Sequence, residues 1–353
     1  MSSTATWLTD LKKTSTGLTF KAELNTGTSP REGLIFVVLN GKYHKISVTQ
    51  AADASLFKGA ASAIAREIAY NTGFITKVTS DSYTQVDDHV GMLKMQFKGQ
   101  QAGTNYPMAM YMYEVDLSGD VTLAVSCADN DNASIQSTSA SETVLQTIRE
   151  QFAAMQTDNP SWTVLGGVNG DFFRTADNNL IQGACHRNGV CLKSTFYQEN
   201  YNTVFAIKTD GTAMIMNQGQ YANLKSQIQE AVSGRQRLVA YGEVYGNDSD
   251  DYQPRTAVGV SEDGMTVYLL VIDGRADSWS YGAKYYDLAE IMIAAGAYNA
   301  INLDGGGSSI FVTRNSEDGT SYTDYGYINK PKDTDGTSTE REVPNGLAIV
   351  RRR

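Results

Sequence analysis

The segment between residues 266 and 303 constrains the fold more than any other part of the chain. It contains an apolar run at 266–272, a helical pattern at 285–295 and a second apolar run at 300–303. Connections of this length usually join parallel strands, and they do so with right-handed sense. The sequence therefore predicts a parallel pair of strands near the centre of a mixed β-sheet.

The other patterns are mainly β, and they divide the chain into three parts. Residues 1–52 alternate between apolar and polar side chains and are predicted to form a small immunoglobulin-like all-β module. Residues 53–79 carry a helical stripe and are predicted to be a helical connector. Residues 80–353 are predicted to form an α+β domain, a mixed β-sheet with flanking helices, in which Ser139 and Glu142 have the spacing of a capping box.

Three aspartates follow apolar runs and lie directly beside a glycine: Asp171, Asp273 and Asp304. Taken singly, each is most simply a turn residue, because aspartate and glycine together favour tight turns. If 266–272 and 300–303 are adjacent parallel strands, about 4.8 Å apart, Asp273 and Asp304 leave the same sheet edge within roughly 5–10 Å of each other. Ligands bind at the carboxyl edge of such sheets. The pattern therefore favours a single site, and these aspartates are the catalytic candidates.

A run of three glycines lies between the apolar run at 300–303 and a further apolar run at 310–313. Gly305, Gly306 and Gly307 each cost roughly 0.5–1 kcal/mol of ordering free energy relative to alanine, so the run needs a structural reason. With Ser308 and Ser309 it offers amide N–H groups and hydroxyls that can cradle phosphate or sugar oxygens. A bulge or a tight turn between strands is the alternative.

Several polar side chains near these strands are further candidates. Arg255 and Arg275 are either partners in structural ion pairs or anion clamps, because the planar guanidinium fits phosphate. For Arg341, near the last strand, the structural role is favoured. His186 is a candidate sugar contact or site acid, although a loop histidine is more often solvated. The Asp333 region is interpreted as a solvated turn.

Composition argues against several classes of function. The chain has 39 acidic and 29 basic side chains and a net charge of −10, which disfavours nucleic acid as a partner. No apolar run approaches the ~18 residues of a transmembrane helix, and the histidines lack zinc-site spacing. Cys185 and Cys191 are spaced for a bridge, but free thiols are the simpler interpretation. No cofactor is predicted, and Ca²⁺ or Mg²⁺ held with phosphate stays an open alternative.

Five motifs occur along the chain in a fixed order. They are Asn169-Gly170-Asp171-Phe172-Phe173, Arg255-Thr256-Ala257-Val258-Gly259, Asp273-Gly274-Arg275, Leu303-Asp304-Gly305-Gly306-Gly307-Ser308-Ser309 and Arg341-Glu342-Val343-Pro344-Asn345. Together they resemble the phosphodiester glycosidase family, over roughly residues 100–353, and the glycine-rich motif is the most specific of them. The chain departs from the family in a long stretch, Asn315–Tyr327, that we expect to reshape the rim of the substrate site.

The resemblance implies hydrolysis of a sugar-1-phosphodiester, which releases free sugar and a phosphate monoester. N-acetylglucosamine is the sugar that the family suggests, and the identity of the sugar stays open. The resemblance also implies a carbohydrate-phosphate substrate and a role for Asn169 in binding it. Asp304 is the first choice for the carboxylate at the anomeric carbon, ahead of Asp273 and Asp171. Two alternatives stay open, a glycan-binding protein without catalysis and a phosphodiesterase that cleaves the P–O bond. The oligomeric state is not predicted.

A second, shorter resemblance concerns the N-terminal residues. Trp7, Gly17–Phe20, Asn25, Arg31 and Ile46–Gln50 are similar to a BACON module, an immunoglobulin-like domain of exported glycan-processing proteins. The resemblance implies a location outside the cell or in the cell envelope. The first residues lack the basic-then-apolar pattern of a leader, so we expect an exported parent whose signal is absent from this chain.

Overall fold

The structure is a computed structural model of the chain. It describes residues 2–14, 17–23, 25, 27, 29–39, 42–51, 54–101, 103–198, 202–246, 251–314 and 325–352. The predicted departure from the family pattern therefore lies largely outside the described residues, from 315 to 324.

The described part of the chain contains many strands and few helices. In chain order, the strands are β1 (Ser2–Ser3), β2 (Leu8–Lys13), β3 (Leu18–Ala22), β4 (Arg31–Leu39), β5 (Lys42–Gln50), β6 (Ile75–Asp87), β7 (Val90–Gln101), β8 (Thr104–Asp116), β9 (Val121–Cys127), β10 (Trp162–Asn169), β11 (Phe173–Arg174), β12 (Leu180–Ile181), β13 (Cys185–Arg187), β14 (Val190–Lys193), β15 (Thr203–Lys208), β16 (Ala213–Asn217), β17 (Ile228–Gly234), β18 (Arg237–Ala240), β19 (Glu243–Val244), β20 (Arg255–Val260), β21 (Thr266–Ile272), β22 (Asn299–Asn302), β23 (Phe311–Arg314), β24 (Tyr325–Tyr327) and β25 (Asn345–Arg352). The α-helices are α1 (Ala63–Asn71), α2 (Ile148–Asp158), α3 (Gln218–Leu224) and α4 (Tyr285–Ala295).

An eight-stranded sheet forms the middle layer of the main domain, with the strand order β19-β18-β22-β20-β21-β8-β7-β6. On one of its faces α1 and α4 pack with apolar side chains such as Ile68 and Leu288. A second apolar cluster joins its strands to two five-stranded sheets, β24-β23-β10-β25-β9 and β14-β13-β17-β15-β16. The protein is thus mostly β, with few helices. None of the helices within the described ranges is long and apolar enough to cross a bilayer.

The prediction of a mixed sheet with adjacent parallel strands was wrong. Every strand pair among the described residues is antiparallel. β21 and β22 do run in the same direction, but β20 lies between them and pairs with both. The physical reason is that β20 forms a tight hairpin with β21, so the crossover through α4 must place β22 one position further along the sheet.

The N-terminal residues form all-β structure, a three-stranded sheet of β1, β4 and β5 beside the β2–β3 hairpin. Their small core contains Trp7, Leu8, Ile35 and Val37. The predicted helical connector contains α1, but β6 already begins at Ile75. Because α1 packs in the same apolar cluster as α4, it contributes to the core of the main domain.

Candidate active site

One edge of the eight-stranded sheet brings together three of the sequence motifs. β21 and β22 end at this edge and β20 begins there, because Arg255 pairs with Ile272 and Ala257 pairs with Asn302. Because β20 lies antiparallel between β21 and β22, Arg255 lies at the edge at which the two aspartate motifs leave the sheet.

Asp304 is partly exposed at this edge and lines a pocket. Its Oδ1 accepts a hydrogen bond from the amide of Gly305 at 3.0 Å. Burial raises the pKa of Asp304 to about 6, while a hydrogen bond with Ser308 and the positive charge of Arg341 oppose the rise. Asp304 is thus a poorly solvated carboxylate whose pKa lies near neutral pH. Such a group suits acid–base or nucleophilic chemistry.

The glycine run is explained by close contacts with charged side chains. Gly306 has φ of +61°, and a Cβ there would lie 3.0 Å from Nη2 of Arg275. A Cβ on Gly307 would lie 2.5 Å from Oδ2 of Asp333 and 2.6 Å from Nη2 of Arg341. The run therefore lets two guanidinium groups lie against the backbone, which corresponds to the close approach considered for this segment.

The backbone amides of the glycine run are largely committed to the loop itself. Gly306 donates to the carbonyl of Pro254 at 2.8 Å, and Ser308 and Ser309 donate to Gly305 and Gly306, each at 3.2 Å. The expected cradle of bare N–H groups is therefore wrong for these three residues, and the cationic side chains above the loop face the pocket instead. The hydroxyl of Ser308 accepts a hydrogen bond from Nη1 of Arg341 at 3.0 Å.

Contacts with other protein groups hold the guanidinium groups of Arg255 and Arg275 in place. Arg255 is 6% exposed, donates to the carbonyls of Ala283 at 3.1 Å and Asp251 at 2.8 Å, and lies 4.3 Å from the ring centroid of Tyr285. Arg275 donates to Oε1 of Gln253 at 2.9 Å. Such anchoring holds the cations in place before a ligand arrives, which is the condition for strong electrostatic stabilisation.

The pocket has a volume of about 300 Å³ and an excess of positive charge. Four arginines and two aspartates line it, although the whole chain carries a net charge of −10. A cationic pocket in an acidic protein selects for an anionic group such as a phosphate. The complete lining is Phe172, Arg235, Gln253, Arg255, Arg275, Tyr285, Asp304, Gly305, Gly306, Gly307, Asp333, Thr334 and Arg341.

Comparison with known protein families relates this chain to other proteins. The family model described as phosphodiester glycosidase matches residues 163–350, more than half of the chain. The chain belongs to the phosphodiester glycosidase family. The matched region contains every residue that lines the pocket.

Relatives with curated names cover only part of the chain. N-acetylglucosamine-1-phosphodiester α-N-acetylglucosaminidase from Bos taurus is 30% identical over 131 residues, which cover 31% of this chain and 24% of the relative. The Homo sapiens enzyme of the same name is 29% identical over 166 residues, covering 41% and 31%. The chain thus spans less than a third of the length of either relative.

The fold also resembles a solved member of the family. The catalytic domain of the zebrafish enzyme of that name, auto-inhibited by its pro-peptide, aligns with a TM-score of 0.57 and 18% identity. The alignment covers 78% of this chain and 88% of the zebrafish domain. At this identity the likeness concerns the fold alone.

Two of the predicted catalytic aspartates are buried away from the pocket lining. Asp273 is 1% exposed, and its carboxylate accepts hydrogen bonds from Trp279 Nε1 at 2.8 Å and from the amide of Lys330 and Nδ2 of Asn329, each at 3.0 Å. Burial raises the pKa of Asp273. Its position is that of a structural anchor, since its oxygens are occupied by protein donors.

Asp171 is likewise 1% exposed and held by protein donors. It accepts from the amide of Ser233 at 2.8 Å and from Nδ2 of Asn345 at 2.7 Å. Burial raises the pKa of Asp171 to about 7, and the negative charge of Asp304 contributes to the rise. Asp171 therefore lies within electrostatic reach of Asp304 but outside the lining of the pocket.

The expected roles of His186 and Ser309 do not fit their positions. His186 is not a loop residue but lies in β13, is 2% exposed and has its Nε2 2.9 Å from the hydroxyl of Tyr221. Burial lowers the pKa of His186 to about 4. Ser309 is 1% exposed, and its carbonyl accepts a hydrogen bond from Asn329 at 3.1 Å. Neither residue lines the pocket, because both side chains belong to the packed interior.

The pocket also contains charged residues that the sequence did not single out for it. Arg341 was assigned a structural role and Asp333 a solvated turn, yet they form an ion pair at the glycine loop. Arg235 and Tyr285 also line the pocket, and no sequence motif predicted either of them. The available signal was the position of Arg341 at the start of the last family motif.

Cys127, Cys185 and Cys191 are free thiols, so the possible bridge between Cys185 and Cys191 is not formed. In the part of the chain that the structure describes, no group of three or more His, Cys, Asp or Glu side chains is arranged to hold a metal ion.

Proposed function

We propose that this chain hydrolyses a sugar-1-phosphodiester, releasing free sugar and a phosphate monoester. The observation that carries the proposal is that Asp304, a partly exposed aspartate, lines the same pocket as Arg235, Arg255, Arg275 and Arg341. A phosphodiester glycosidase needs this combination, a carboxylate for the sugar carbon and fixed cations for the phosphate. The names of the family's curated relatives support it.

The chemistry explains why cations matter more than a proton donor in this reaction. When the bond between the anomeric carbon and the phosphate oxygen breaks, the departing phosphate is already a stable anion. It needs electrostatic stabilisation, which the four guanidinium groups of the pocket supply. Those of Arg255, Arg275 and Arg341 are held in place by protein contacts. Binding of the phosphate by several arginines also orients the anomeric carbon, so part of the entropic barrier is overcome on binding.

The carboxylate of Asp304 serves the sugar side of the same bond. The oxocarbenium-like transition state carries positive charge at the anomeric carbon, which an ionised carboxylate stabilises either as nucleophile or as base for water. Asp171 is proposed as a positioning residue and Asp273 as a structural anchor, because protein donors occupy their buried carboxylates. Asn169 is also proposed to act by positioning, since it is buried and bonds to the backbone of Asp304.

The identity of the sugar, the nature of the N-terminal module and the export of the parent protein are proposed from resemblance to other proteins. N-acetylglucosamine is the proposed sugar, because the curated relatives are named for it. We also propose that residues 1–52 are a BACON-like module ahead of the catalytic domain, and that the parent protein is exported. Expression of residues 1–52 alone, followed by circular dichroism, tests whether that part folds by itself.

Hydrolysis in ¹⁸O-labelled water tests the proposed reaction. A small panel of glycosyl-1-phosphodiesters is incubated with the protein, and the products are analysed by mass spectrometry. Label in the sugar supports cleavage of the C–O bond. Label in the phosphate identifies a phosphodiesterase that cleaves the P–O bond, and binding without turnover of any panel member identifies a glycan-binding protein. Either of the last two results overturns the proposal.

A further inference from the structure

A second pocket lies at the edge of the eight-stranded sheet opposite to that of Asp304, and we call it the distal pocket. β20 begins with Arg255 in the active-site pocket and ends with Val260 in the distal pocket. At about 3.3 Å per residue, the six residues of this strand place the two edges about 17 Å apart. Within the described ranges, no residue lines both pockets. A ligand in the distal pocket is therefore bound by side chains other than those that surround Asp304.

Tyr241 lines the distal pocket from an unusual backbone position. With Gly242 it forms the two-residue turn between β18 and β19, and φ is +56° at Tyr241 and +79° at Gly242. Asparagine and glycine adopt such turns readily, whereas a positive φ is an outlier for a bulky side chain. Tyr241 is 64% exposed, so burial in the core does not explain its place in the turn. An exposed aromatic ring at a strained position indicates a role in binding.

Two neighbouring side chains that also line the distal pocket hold the Tyr241 ring in place. Tyr298 packs edge-on against it, with centroids 5.9 Å apart and an interplanar angle of 72°. The carbonyl of Tyr298 accepts a hydrogen bond from the amide of Gly242 at 2.8 Å. The guanidinium group of Arg237 lies 5.5 Å from the Tyr241 ring centroid and donates to Oδ1 of Asn299. The two rings therefore form a corner that exists before a ligand arrives.

The charges around the distal pocket balance, unlike those around the active-site pocket. Lys208 and Arg237 line it together with Glu262 and Asp263. The active-site pocket has four arginines against two aspartates and selects for an anion, whereas a balanced set favours neither an anion nor a cation. The ligand that fits the distal pocket is therefore neutral.

The size and the polar groups of the distal pocket indicate a sugar. Its volume of about 260 Å³ lies slightly below the range of pockets for drug-sized ligands, so it takes a single ring. The aromatic face of Tyr241 suits the apolar C–H face of a sugar. Arg237 has five N–H donors, of which its contacts with described residues use two, and Glu262 is an acceptor. Sugar hydroxyls both donate and accept, so they match this mixture of groups.

We propose that the distal pocket binds a neutral sugar ring of a glycan, independently of the active site. Tyr241 supplies the aromatic surface, and Arg237 and Glu262 supply the hydrogen bonds to the hydroxyl groups. The inference goes beyond the proposed function, because binding in the distal pocket needs no turnover. A protein with both pockets holds a glycan at one edge of the sheet while a phosphodiester reaches Asp304 at the other.

Binding of neutral oligosaccharides to the full chain tests the inference. The probes are maltotriose, mannotriose, galactotriose and triacetylchitotriose, and NMR titration gives Kd for each. Tyr241→Asn removes the ring, and asparagine suits the positive φ of this turn. For the probe that binds best, Kd should therefore rise about tenfold, while the melting temperature stays equal or rises. Tyr241→Phe keeps the ring and should bind this probe like the unmodified protein.

Two control variants should leave Kd unchanged. Tyr43→Ala removes a tyrosine that is 82% exposed on β5, and Asp304→Asn alters the active-site pocket. The inference is overturned if none of the four probes binds the unmodified protein, or if Tyr241→Asn binds as well as it does. A melting temperature that falls by several degrees in Tyr241→Asn would show that the ring serves folding. Loss of binding in Asp304→Asn would place the sugar in the active-site pocket instead. These results do not depend on hydrolysis, so failure of the proposed function leaves the test intact.

Discussion

The side-chain amide of Asn169 donates a hydrogen bond to the backbone carbonyl of Asp304 at 2.7 Å. Its Oδ1 accepts from the hydroxyl of Thr256 at 2.8 Å and from the amide of Ile310 at 3.2 Å. A single buried side chain at the end of β10 thus ties β20 to both ends of the glycine-rich loop. The position of the Asp304 carboxylate depends on this contact between two different sheets.

Asn169→Ala is expected to disturb stability and turnover together. It leaves buried polar partners unsatisfied, so the free energy of unfolding should fall by about 2–4 kcal/mol. Because the loop that carries Asp304 loses its anchor, kcat should fall even where the variant is still folded. Urea unfolding and initial rates below the melting transition measure the two effects. Asn71→Ala, on the exposed end of α1, is the control, and a normal kcat in Asn169→Ala would show that the loop holds its shape without this anchor.

Asp304→Asn is expected to separate turnover from stability. The neutral amide removes the carboxylate that the mechanism requires, so kcat should fall by about 10²–10⁴-fold. The melting temperature should change by only a few degrees, because burial already disfavours the charged form of this residue. Rates and thermal melts are compared with those of Asp120→Asn, an exposed aspartate outside the pocket. Normal turnover in Asp304→Asn would make this residue structural.

The pH dependence of the rate should report the ionisation of Asp304. Its pKa is raised to about 6, and the mechanism needs the ionised form, so kcat/KM should be lost as the pH falls through that value. The hydrogen bond with Ser308 lowers the pKa, so Ser308→Ala should move the acid limb to higher pH. Ser118→Ala, which affects Asp116 at the surface, should leave the limb in place. A rate that instead falls on the alkaline side would mean that Asp304 works as a proton donor.

Local elements could be predicted from the sequence, whereas the pairing of the strands could not. The helix expected at 285–295 is α4, because its apolar stripe and the glycine after it are local signals. The place of β20 between β21 and β22 depends on a long-range competition among strands, which local patterns do not record. Nothing in the periodicity of these segments separates an adjacent parallel pair from one with an inserted strand.

Competition from distant partners also displaced the start of α2. The capping box was expected at Ser139 and Glu142, but Thr147 and Glu150 form it. The amides of Thr143 and Val144 instead bond to the carbonyls of Asn178 and Ser134, at 3.0 and 2.9 Å.

The motifs around Asp273 and Asp304 look alike in sequence, and only the tertiary structure turns one carboxylate inward and the other towards the pocket.

Gly307→Ala is expected to impair binding more than stability. The new Cβ would lie 2.5 Å from Asp333 Oδ2 and 2.6 Å from Arg341 Nη2, and both of these are ends of flexible side chains that can move away. The ion pair at the pocket would therefore be displaced, and KM should rise by about tenfold, the effect of losing one charge-assisted contact. Gly17→Ala is the control, since nothing lies within 4 Å of a Cβ there. An unchanged KM would show that Arg341 does not contact the substrate.

Asp273→Asn should give the opposite result to Asp304→Asn. The carboxylate of Asp273 accepts hydrogen bonds from Trp279, Asn329 and the amide of Lys330, and an asparagine would turn an NH₂ group towards at least one of these donors. Stability should therefore fall by about 2–4 kcal/mol, while the folded variant keeps most of its kcat, because Asp273 does not line the pocket. Urea unfolding and rates at low temperature measure both quantities. If Asp273→Asn abolished turnover and left stability intact, Asp273 would belong to the chemistry, and the assignment of Asp304 as the carboxylate at the anomeric carbon would have to be revised.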